Sequence, residues 1–451
     1  MSISPAHGQN DELIRGLSAA LARIGLPPPE RLERLSGGAN MESWRFNAGT
    51  TDCVLRRAPS AKMMADRVLD HHGEAALIRA ARAAGVQAPD VLVELDPSDG
   101  IGSGFVMRCL PGTPDPAVIQ ESQDPAALLA ELARELAAIH RVPVAALSAP
   151  AMDTAAALAD LKVRFLSYGG DRPILALALR WLDCNLPKPT APRLVHGDFR
   201  LGNLLVDQNR LSGVLDWELA HLGDPHEDLA YGCMTVWRFA RPDRPAFGLG
   251  SVEALAAAYA AAGGAAFEPA RFRFWMIYRT VWWALGCLQM GAMWRSGVDR
   301  SPERVVVARR TAEQELDLLL LLEQQATVSE RERPLPPPLA HATAGLGEPS
   351  GAEMLTAVSE WLASDVKPLV RGRGRFDLAV ARNALGIVAR ELDQRPCAID
   401  AVLASELLSG SADLTSPGML ARLRRMALDK LTADMPKYPA LAIARALWEG
   451  P

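Results

Sequence analysis

The sequence predicts an α+β fold, because strand-like and helical patterns occupy different parts of the chain. Short runs rich in β-branched and aromatic residues fall within residues 1–105. From Pro125 to Leu322 the apolar residues recur mostly at helical spacing, and after a proline-rich segment residues 351–451 are again helical in pattern. These three observations predict a strand-rich N-terminal part, a helical middle part and a small all-α domain at the end.

The strand-like runs of the N-terminal part are separated by turn signals. We expect strands over residues 44–47, 53–56, 91–95 and 105–110. Glycine-containing turns punctuate them at Gly37-Gly38, Asn47-Ala48-Gly49 and Asp99-Gly100. One helix, predicted over residues 73–84, interrupts the set.

Helices dominate the middle part, with one exception. Residues 126–140 and 154–166 carry apolar residues at i, i+3 and i+4. Residues 193–216 instead form a strand-and-loop island among these helices. The apolar stretch over 275–294 is interrupted by Arg279, and its uncharged part is shorter than a membrane span requires. We therefore expect a buried helix there and no membrane contact.

A linker separates the last part from the rest. Residues 324–350 are first charged and then rich in proline and glycine, and prolines cannot continue a helix. We therefore predict four regions, which are an N-terminal lobe over 1–105, a C-terminal lobe over 106–323, a proline-rich linker over 324–350 and a helical domain over 351–451. Apolar stripes in the last region predict four helices, over 354–366, 376–392, 397–408 and 419–432.

Composition and charge exclude several classes of protein. Hydrophobic residues make up 49% and charged residues 22% of the chain, which excludes wholesale disorder. The net charge of −5 does not fit a nucleic-acid-binding protein, whose domain is usually basic. The six cysteines are scattered and form no CxxC pair. We expect neither a disulfide framework nor a zinc site, and a cytoplasmic location.

The island at residues 193–216 carries the residues with predicted chemistry. Phosphoryl transfer needs a carboxylate beside the attacking hydroxyl, oxygen ligands for Mg²⁺ and cations around the phosphates. Asp198 suits the first role, and Asn203 and Asp216 suit the second, because Mg²⁺ prefers hard oxygen ligands. Asp198 and Asn203 stand five residues apart, as in the catalytic loop of protein kinases. A hydrophobic strand over residues 211–215 then delivers Asp216 at its end.

The motif His196-Gly-Asp198-x4-Asn203, followed by Asp216-Trp-Glu218, resembles the aminoglycoside phosphotransferase and choline kinase superfamily. Residues 219–225 and 228–230 are most similar to the branch of kinase-like domains associated with acyl-CoA dehydrogenases. The resemblance implies a protein-kinase-like two-lobe fold, with a small antiparallel β-sheet lobe that binds nucleotide and a large helical lobe that carries catalysis. It also implies Mg²⁺ as cofactor, and ATP or GTP as phosphoryl donor.

The same resemblance assigns nucleotide-binding residues in the N-terminal lobe. Residues 36–40, with Gly37, Gly38 and Asn40, are similar to the family's nucleotide loop, where glycine lets the backbone approach phosphate closely. Arg56 matches the basic strand residue that touches the phosphates, and Glu74 matches the helix glutamate that pairs with this cation.

Two features of the neighbouring strands complete the nucleotide side. The strand over 105–110 is similar to the one that leads into the hinge between the lobes, where main-chain groups at Met107 and Cys109 would contact adenine. Arg57 would point to the opposite face of its strand from Arg56, so we expect it to be solvated.

The acceptor stays open at this stage. The resemblance implies a hydroxyacyl-CoA or a hydroxy acid as small-molecule acceptor, with an acyl-CoA dehydrogenase as candidate partner. Residues 272–297 contain several aromatic residues and no Asp or Glu, which tilts against a polycationic acceptor. An aminoglycoside or choline-type kinase remains an alternative, since aromatic rings can form a cage for choline. A non-catalytic nucleotide-binding scaffold that docks a dehydrogenase is a second alternative.

Several residues near the motif keep two interpretations. His196 is either a structural brace of the loop or a general base. Arg200 either stabilises charge at the γ-phosphate or forms a surface salt bridge. Glu218 either contacts the metal or the substrate, or contacts neither. Asp228 is a candidate brace of the catalytic loop. The aromatic residues within 275–294 either fill the core or line the acceptor pocket.

Overall fold

The computed structural model describes residues 5–35, 41–60, 64, 67, 69–239, 241–338, 349–394 and 399–450. Its N-terminal lobe is built on a five-stranded sheet in the order β1-β2-β3-β5-β4, with every neighbouring pair antiparallel. The elements of this lobe are α1 (Pro5–Ala22), β1 (Glu30–Arg34), β2 (Glu42–Ala48), β3 (Thr51–Ala58), α2 (His71–Ala83), β4 (Val91–Glu94) and β5 (Ser103–Arg108). The predicted α+β class with a small antiparallel lobe is confirmed.

The two helices of this lobe cover opposite faces of the sheet. Val106 of β5 packs in one cluster with Leu17 of α1, whereas its neighbour Phe105 packs in another with Leu77 of α2. This alternation follows from the two-residue period of a strand. Helix α2 begins at an Asp70 cap, whose carboxylate accepts the N–H of Gly73 at 2.7 Å.

One expectation for the sheet is wrong. Arg57 is not solvated, because its Nε donates to the Glu42 carboxylate at 2.9 Å and its Nη1 donates to the Ile101 carbonyl oxygen at 3.0 Å. Only 13% of its side chain is exposed. The face of β3 opposite Arg56 is therefore occupied by a second ion pair within the sheet.

The large lobe is mainly helical and contains two short β-pairs. Strands β6 (Arg193–Val195) and β9 (His221–Gly223) pair with each other, and β7 (Leu204–Asp207) and β8 (Arg210–Val214) form a hairpin. The helices are α3 (Pro116–Gln120), α4 (Pro125–Ile139), α5 (Thr154–Ser167), α6 (Pro173–Cys184), α7 (His226–Tyr231), α8 (Val252–Ala261), α9 (Pro269–Arg295), α10 (Pro302–Arg309), α11 (Thr311–Leu322) and α12 (Val328–Arg331). No helix in the described ranges is long and apolar enough to cross a membrane.

The last helices pack against the large lobe. They are α13 (Gly351–Trp361), α14 (Arg373–Gln394), α15 (Ala401–Ser409), α16 (Met419–Asp434) and α17 (Pro439–Trp448). Leu407 of α15 and Leu428 of α16 belong to the same buried cluster as Leu179 of α6 and Leu316 of α11. The all-α character of this part agrees with the expected fold class, while the division of the chain at 324–350 stays a prediction.

Polar contacts accompany this shared core. Lys430 of α16 pairs with Glu315 of α11, and both side chains are buried. The Tyr438 hydroxyl donates to Asp317 of α11 at 2.6 Å. Arg424 lies 2.8 Å from the Glu323 carboxylate. Buried charges need such partners, so these contacts fix how the last helices sit on α11.

Candidate active site

The candidate catalytic loop, residues 196–203, connects β6 to β7. Gly197 has a φ of 80°, and a Cβ atom there would lie 2.5 Å from the Leu219 carbonyl oxygen, so only glycine fits. The N–H groups of His196 and Gly197 donate to the Asp228 carboxylate at 2.7 and 2.8 Å. A buried carboxylate therefore fixes the start of the loop.

Asp228 is held ionised by its surroundings. Burial alone would raise the pKa of this carboxyl, but hydrogen bonds from His140 and from the loop lower it below its usual value. His140 lies 3.1 Å from Asp228 through Nε2, and its Nδ1 lies 2.7 Å from the Tyr259 hydroxyl. His140 follows the last residue of α4 and Tyr259 lies in α8, and no local motif pointed to them.

Asp198 is oriented by two side chains of its own loop. Nδ2 of Asn203 donates to Asp198 Oδ2 at 2.5 Å and to the Asp198 carbonyl oxygen at 3.0 Å. Nε of Arg200 donates to Asp198 Oδ1 at 2.9 Å. Each carboxylate oxygen keeps a further lone pair, so Asp198 can still accept a hydrogen bond from a hydroxyl group.

Asp216 follows β8 in a backbone conformation that is uncommon for residues other than glycine. Its φ is 64°, in the left-handed region that favours glycine. Leu215 N–H donates to the Asn203 carbonyl oxygen at 2.8 Å, which brings Asp216 beside the catalytic loop. Strained residues of this kind cluster at functional sites, where the surrounding structure holds them in place.

Arg56 lies at the centre of an ion cluster that joins the two lobes. Its Nε is 3.2 Å from Glu74 Oε1, and its Nη2 is 2.7 Å from Asp216 Oδ1. Nη2 also contacts Glu218, whose carboxylate lies 2.6 Å from Nη1 of Arg67. The carboxylates of Glu74, Asp216 and Glu218 therefore meet at one guanidinium, and Arg67 lies beside it.

The charges of this cluster perturb one another. Burial raises the pKa of Glu74 to about 7, against the opposing effect of Arg56. Burial alone would lower the pKa of the Arg56 guanidinium. The carboxylates of Asp216, Glu74 and Glu218 outweigh this effect and raise the pKa. Arg56 is therefore a permanent cation, whereas Glu74 changes charge near neutral pH.

His196 is a brace of the loop in this structure. Its Nδ1 accepts the N–H of Asp198 at 3.2 Å, so its Nε2 is the protonated nitrogen that donates to the Leu215 carbonyl oxygen at 3.1 Å. Burial lowers the pKa of the ring below its usual value. Both nitrogens are thus engaged with main chain, and the ring packs edge-on against Trp217.

Arg279 ties the aromatic helix α9 to the catalytic loop. Its Nη2 bonds the Gly197 carbonyl oxygen, and its Nη1 lies 3.2 Å from the Glu227 carboxylate. The guanidinium lies 4.2 and 4.3 Å from the ring centroids of Tyr231 and Trp282. The charge that interrupts the apolar stretch is therefore buried and paired, a role that the sequence pattern did not indicate.

The predicted hinge residues lie in and just after β5, an inner strand of the sheet. Met107 lies inside β5, between Val54 of β3 and Val91 of β4. The Cys109 N–H donates to the Asp52 carbonyl oxygen at 2.9 Å, so an adenine contact at Cys109 would fall to its carbonyl oxygen. The predicted nucleotide-loop residues Gly37, Gly38 and Asn40 lie outside the described residues.

Comparison with known proteins relates the chain to phosphotransferases and to acyl-CoA dehydrogenases. A family model described as the phosphotransferase enzyme family, APH, matches residues 31–275, just over half of the chain. The chain is 29% identical over 242 residues to acyl-CoA dehydrogenase family member 10 of Mus musculus, a match that covers 50% of this chain and 22% of that protein. It is 42% identical over 64 residues to acyl-CoA dehydrogenase family member 11 of Homo sapiens, covering 14% of this chain and 8% of that protein. The matched segments thus span less than a quarter of either relative.

Among solved structures, a protein from Ralstonia eutropha JMP134 that carries the name aminoglycoside phosphotransferase has a TM-score of 0.57 to this chain. The match covers 68% of this chain and 98% of that one, at 20% sequence identity. At this identity the likeness concerns the fold alone.

Proposed function

Since this chain belongs to the APH phosphotransferase enzyme family, we propose that it transfers the γ-phosphoryl group of ATP or GTP to a hydroxyl group of a small molecule. The observation that carries the proposal is the juxtaposition of Asp198 and Asn203 on one loop with Asp216 and the Arg56–Glu74 pair. These groups supply the carboxylate, the oxygen ligands and the cation that the reaction needs.

In this proposal Asp198 accepts the hydrogen bond of the attacking hydroxyl and aims its oxygen at the γ-phosphorus atom. The transition state is loose, with charge spread over the phosphoryl oxygens, so positioning and charge neutralisation supply most of the catalysis. Arg56 neutralises the phosphates that do not react, and Glu74 keeps its side chain extended toward them. Asn203 and Arg200 hold the Asp198 carboxylate in place.

Asn203 and Asp216 are the residues that would hold Mg²⁺. Nδ2 of Asn203 is directed at Asp198, so its Oδ1 is the end of the amide that is free to ligate. Asp216 has one oxygen on Arg56 and a second oxygen to offer. Two protein ligands suit this ion, because Mg²⁺ usually keeps several waters and binds one or two carboxylates together with substrate phosphates. Bound there, Mg²⁺ supplies positive charge to the donor phosphates.

For the acceptor we propose a hydroxyacyl-CoA or a related hydroxy acid. The names of the curated relatives, acyl-CoA dehydrogenase family members 10 and 11, support this choice and an acyl-CoA dehydrogenase as partner. The absence of Asp and Glu from residues 272–297 supports it independently, because a polycationic aminoglycoside would need carboxylates there. We propose a cytoplasmic location on the basis of the unpaired cysteine pattern.

The reaction is tested with the full chain, γ-labelled ATP or GTP and a panel of acceptors with and without Mg²⁺. We expect Mg²⁺-dependent label transfer to 4-hydroxyacyl-CoAs or hydroxy acids, and loss of transfer when EDTA removes the metal. Preferential phosphorylation of kanamycin or choline would contradict the proposed acceptor class but would support the proposed phosphotransferase reaction. Nucleotide binding with no Mg²⁺-dependent turnover of ATP would favour the dehydrogenase-docking scaffold instead.

The pH dependence of the reaction follows from Glu74. A carboxyl group with a pKa of about 7 is ionised above that pH and neutral below it, so the ion pair with Arg56 is lost on acidification. We expect kcat/KM for ATP to fall as pH decreases below about 7. The raised pKa means that the folded state gains this proton before the unfolded chain does, so protonation of Glu74 does not itself destabilise the fold.

The matched variants for this prediction are Glu74→Gln and Glu42→Gln. Glu42 is the carboxylate that pairs with Arg57 on the same strand, and its pKa is lowered, so it stays ionised over this range. We expect Glu74→Gln to remove the acidic limb of the profile and Glu42→Gln to retain it. An unchanged limb in Glu74→Gln would assign the titration to another group.

A further inference from the structure

A cluster of aromatic rings stands beside Asp198. Trp237, which ends a 3₁₀ turn over Thr235–Trp237, has its ring centroid 5.2 Å from that of Trp283 in α9 and 5.9 Å from that of Tyr231 in α7. The guanidinium carbon of Arg200 lies 4.2 Å from the Trp237 ring centroid. Since Nε of Arg200 is bonded to Asp198, this stack lies within one side chain of the proposed catalytic carboxylate.

The cluster contains hydrogen-bond donors that have no acceptor. In the described part of the chain, Nε1 of Trp237 and Nε1 of Trp283 are buried and find no partner, and Trp237 is only 6% exposed. An indole N–H can only donate, and a guanidinium can only donate. Buried donors are normally paired, so two unpaired indoles next to an arginine indicate a place where an acceptor-rich group binds.

The backbone after Trp237 carries a second sign of function. Phe239 has a φ of 44°, a conformation that is an outlier for a bulky residue, and its ring lies 6.4 Å from the Trp237 ring. Such strain persists where the surrounding structure holds a segment for binding or catalysis. The 3₁₀ turn is held by Arg238, whose guanidinium donates twice to the Cys233 carbonyl oxygen, at 2.7 and 2.9 Å.

We propose that Arg200, Trp237 and Trp283 form a subsite for a carboxyl-derived oxygen group of the acceptor, next to the hydroxyl that Asp198 orients; this inference rests on the proposed phosphotransferase function and identifies its acceptor chemistry. The group is either the carboxylate of a free hydroxy acid or the acyl carbonyl of a hydroxyacyl thioester. Arg200 binds it by a charge-assisted hydrogen bond, and the indoles donate to its oxygen atoms.

The charge distribution opposes a cationic acceptor at this place. The face of Trp237 that a quaternary ammonium would need is already covered by the Arg200 guanidinium. Helix α9, which supplies Trp283, contains no carboxylate that could pair with an amine. A choline or aminoglycoside acceptor would therefore meet like charge beside Asp198 and find no counter-charge from this helix.

The subsite is tested by comparing an acceptor acid with its own amide. The amide has nearly the same shape but no charge, so the two report on the ion contact alone. We expect Arg200→Met to raise KM for the hydroxy acid by about 10- to 100-fold, as loss of a charge-assisted hydrogen bond does, and to change KM for the amide by less than about threefold. We expect Trp237→Phe, which keeps an aromatic ring and removes the N–H, to raise KM for the acid and for the thioester.

The control variant is Arg300→Met. Arg300 also stacks on a tryptophan, Trp294, at 3.9 Å, but on the exposed end of α9 away from Asp198. We expect its KM values for acid and amide to match the unaltered protein. KM for ATP is measured in every variant, since a disturbed loop would move it as well. Because Arg200 also holds Asp198, kcat falls for both acceptors, and the diagnostic quantity is the acid-to-amide ratio of KM.

Three outcomes would overturn the subsite. Equal changes in KM for acid and amide in Arg200→Met would show that Arg200 acts only on Asp198. Preferred turnover of choline or kanamycin would support the proposed phosphotransferase function and exclude this subsite. Should no acceptor be phosphorylated, quenching of tryptophan fluorescence by the acid is measured with a non-hydrolysable ATP analogue. Saturable quenching that Trp237→Phe reduces supports the subsite while the proposed reaction fails, and absence of saturable binding overturns the subsite.

Discussion

Replacing Asp198 with alanine is expected to lower kcat for phosphoryl transfer by about 10²- to 10⁴-fold, the range for loss of a positioned acid–base group. Asp198 is the carboxylate on which Arg200 and Asn203 converge, so its removal leaves the acceptor hydroxyl without an orienting partner. The affinity for nucleotide should change little, because Asp198 makes no contact with Arg56 or Glu74. Rapid-quench measurement of label transfer separates the chemical step from nucleotide binding.

Asp207→Ala is the control for this prediction. Asp207 ends β7, the strand that follows the catalytic loop, and it is exposed. We expect its kcat to match that of the unaltered protein. Full turnover by Asp198→Ala would defeat the assignment of Asp198, and an equal loss in both variants would indicate a general disturbance of the loop.

The second large effect is expected in stability, from Lys430→Met. Lys430 and Glu315 are paired between α16 and α11, with 9% and 4% of their side chains exposed. Methionine fills similar space but leaves the Glu315 carboxylate buried without its cation, which costs about 3–5 kcal/mol of the free energy of unfolding. Urea denaturation followed by tryptophan fluorescence measures this loss as a lower midpoint.

Two further variants decide what the loss means. We expect the double variant Lys430→Met with Glu315→Leu to recover most of the stability, because replacing both members of a buried pair with apolar residues is often neutral. Arg373→Met removes an exposed ion pair with Glu303 and is expected to change the free energy of unfolding by less than about 1 kcal/mol. A Lys430→Met protein as stable as the unaltered one would show that this buried ion pair does not stabilise the packing of α16 on α11.

The fold could be predicted largely from local pattern. Alternation and turn residues located β2, β3, β4 and β5, although the strand Glu42–Ala48 begins two residues before the predicted one. The sequence pattern does not predict strand β1, because four of the five residues of Glu30–Arg34 are charged and exposed and show no apolar alternation. The packing of the last helices on α11 was also invisible, because it joins residues that lie more than a hundred positions apart.

The residues of the candidate site likewise divide into those that a local motif reveals and those that only the folded chain brings together. Asp198, Asn203 and Asp216 share one short segment, so their spacing alone suggested a common role. Arg279 of α9 bonds this loop directly, and His140 supports it through Asp228; no periodicity reveals such partners. The expectation for Arg57 was wrong for a related reason. Strand alternation predicts on which face of the sheet a side chain lies, but it does not predict that the Glu42 carboxylate lies on the same face. The roles assigned to the site residues stay predictions until the variants are measured.

The shared core of the last helices also has a consequence for synthesis of the protein. A chain leaving the ribosome presents its N-terminal residues first, and domains generally fold in that order. Here α6 and α11 are synthesised before α15 and α16, which cover their apolar faces. Asp317 is likewise synthesised before its hydrogen-bond partner Tyr438. Helix α11 packs against the 3₁₀ turn that carries Trp237, so the acceptor side of the site gains its support last. We therefore expect a nascent chain released early to expose apolar surface and to depend on chaperones.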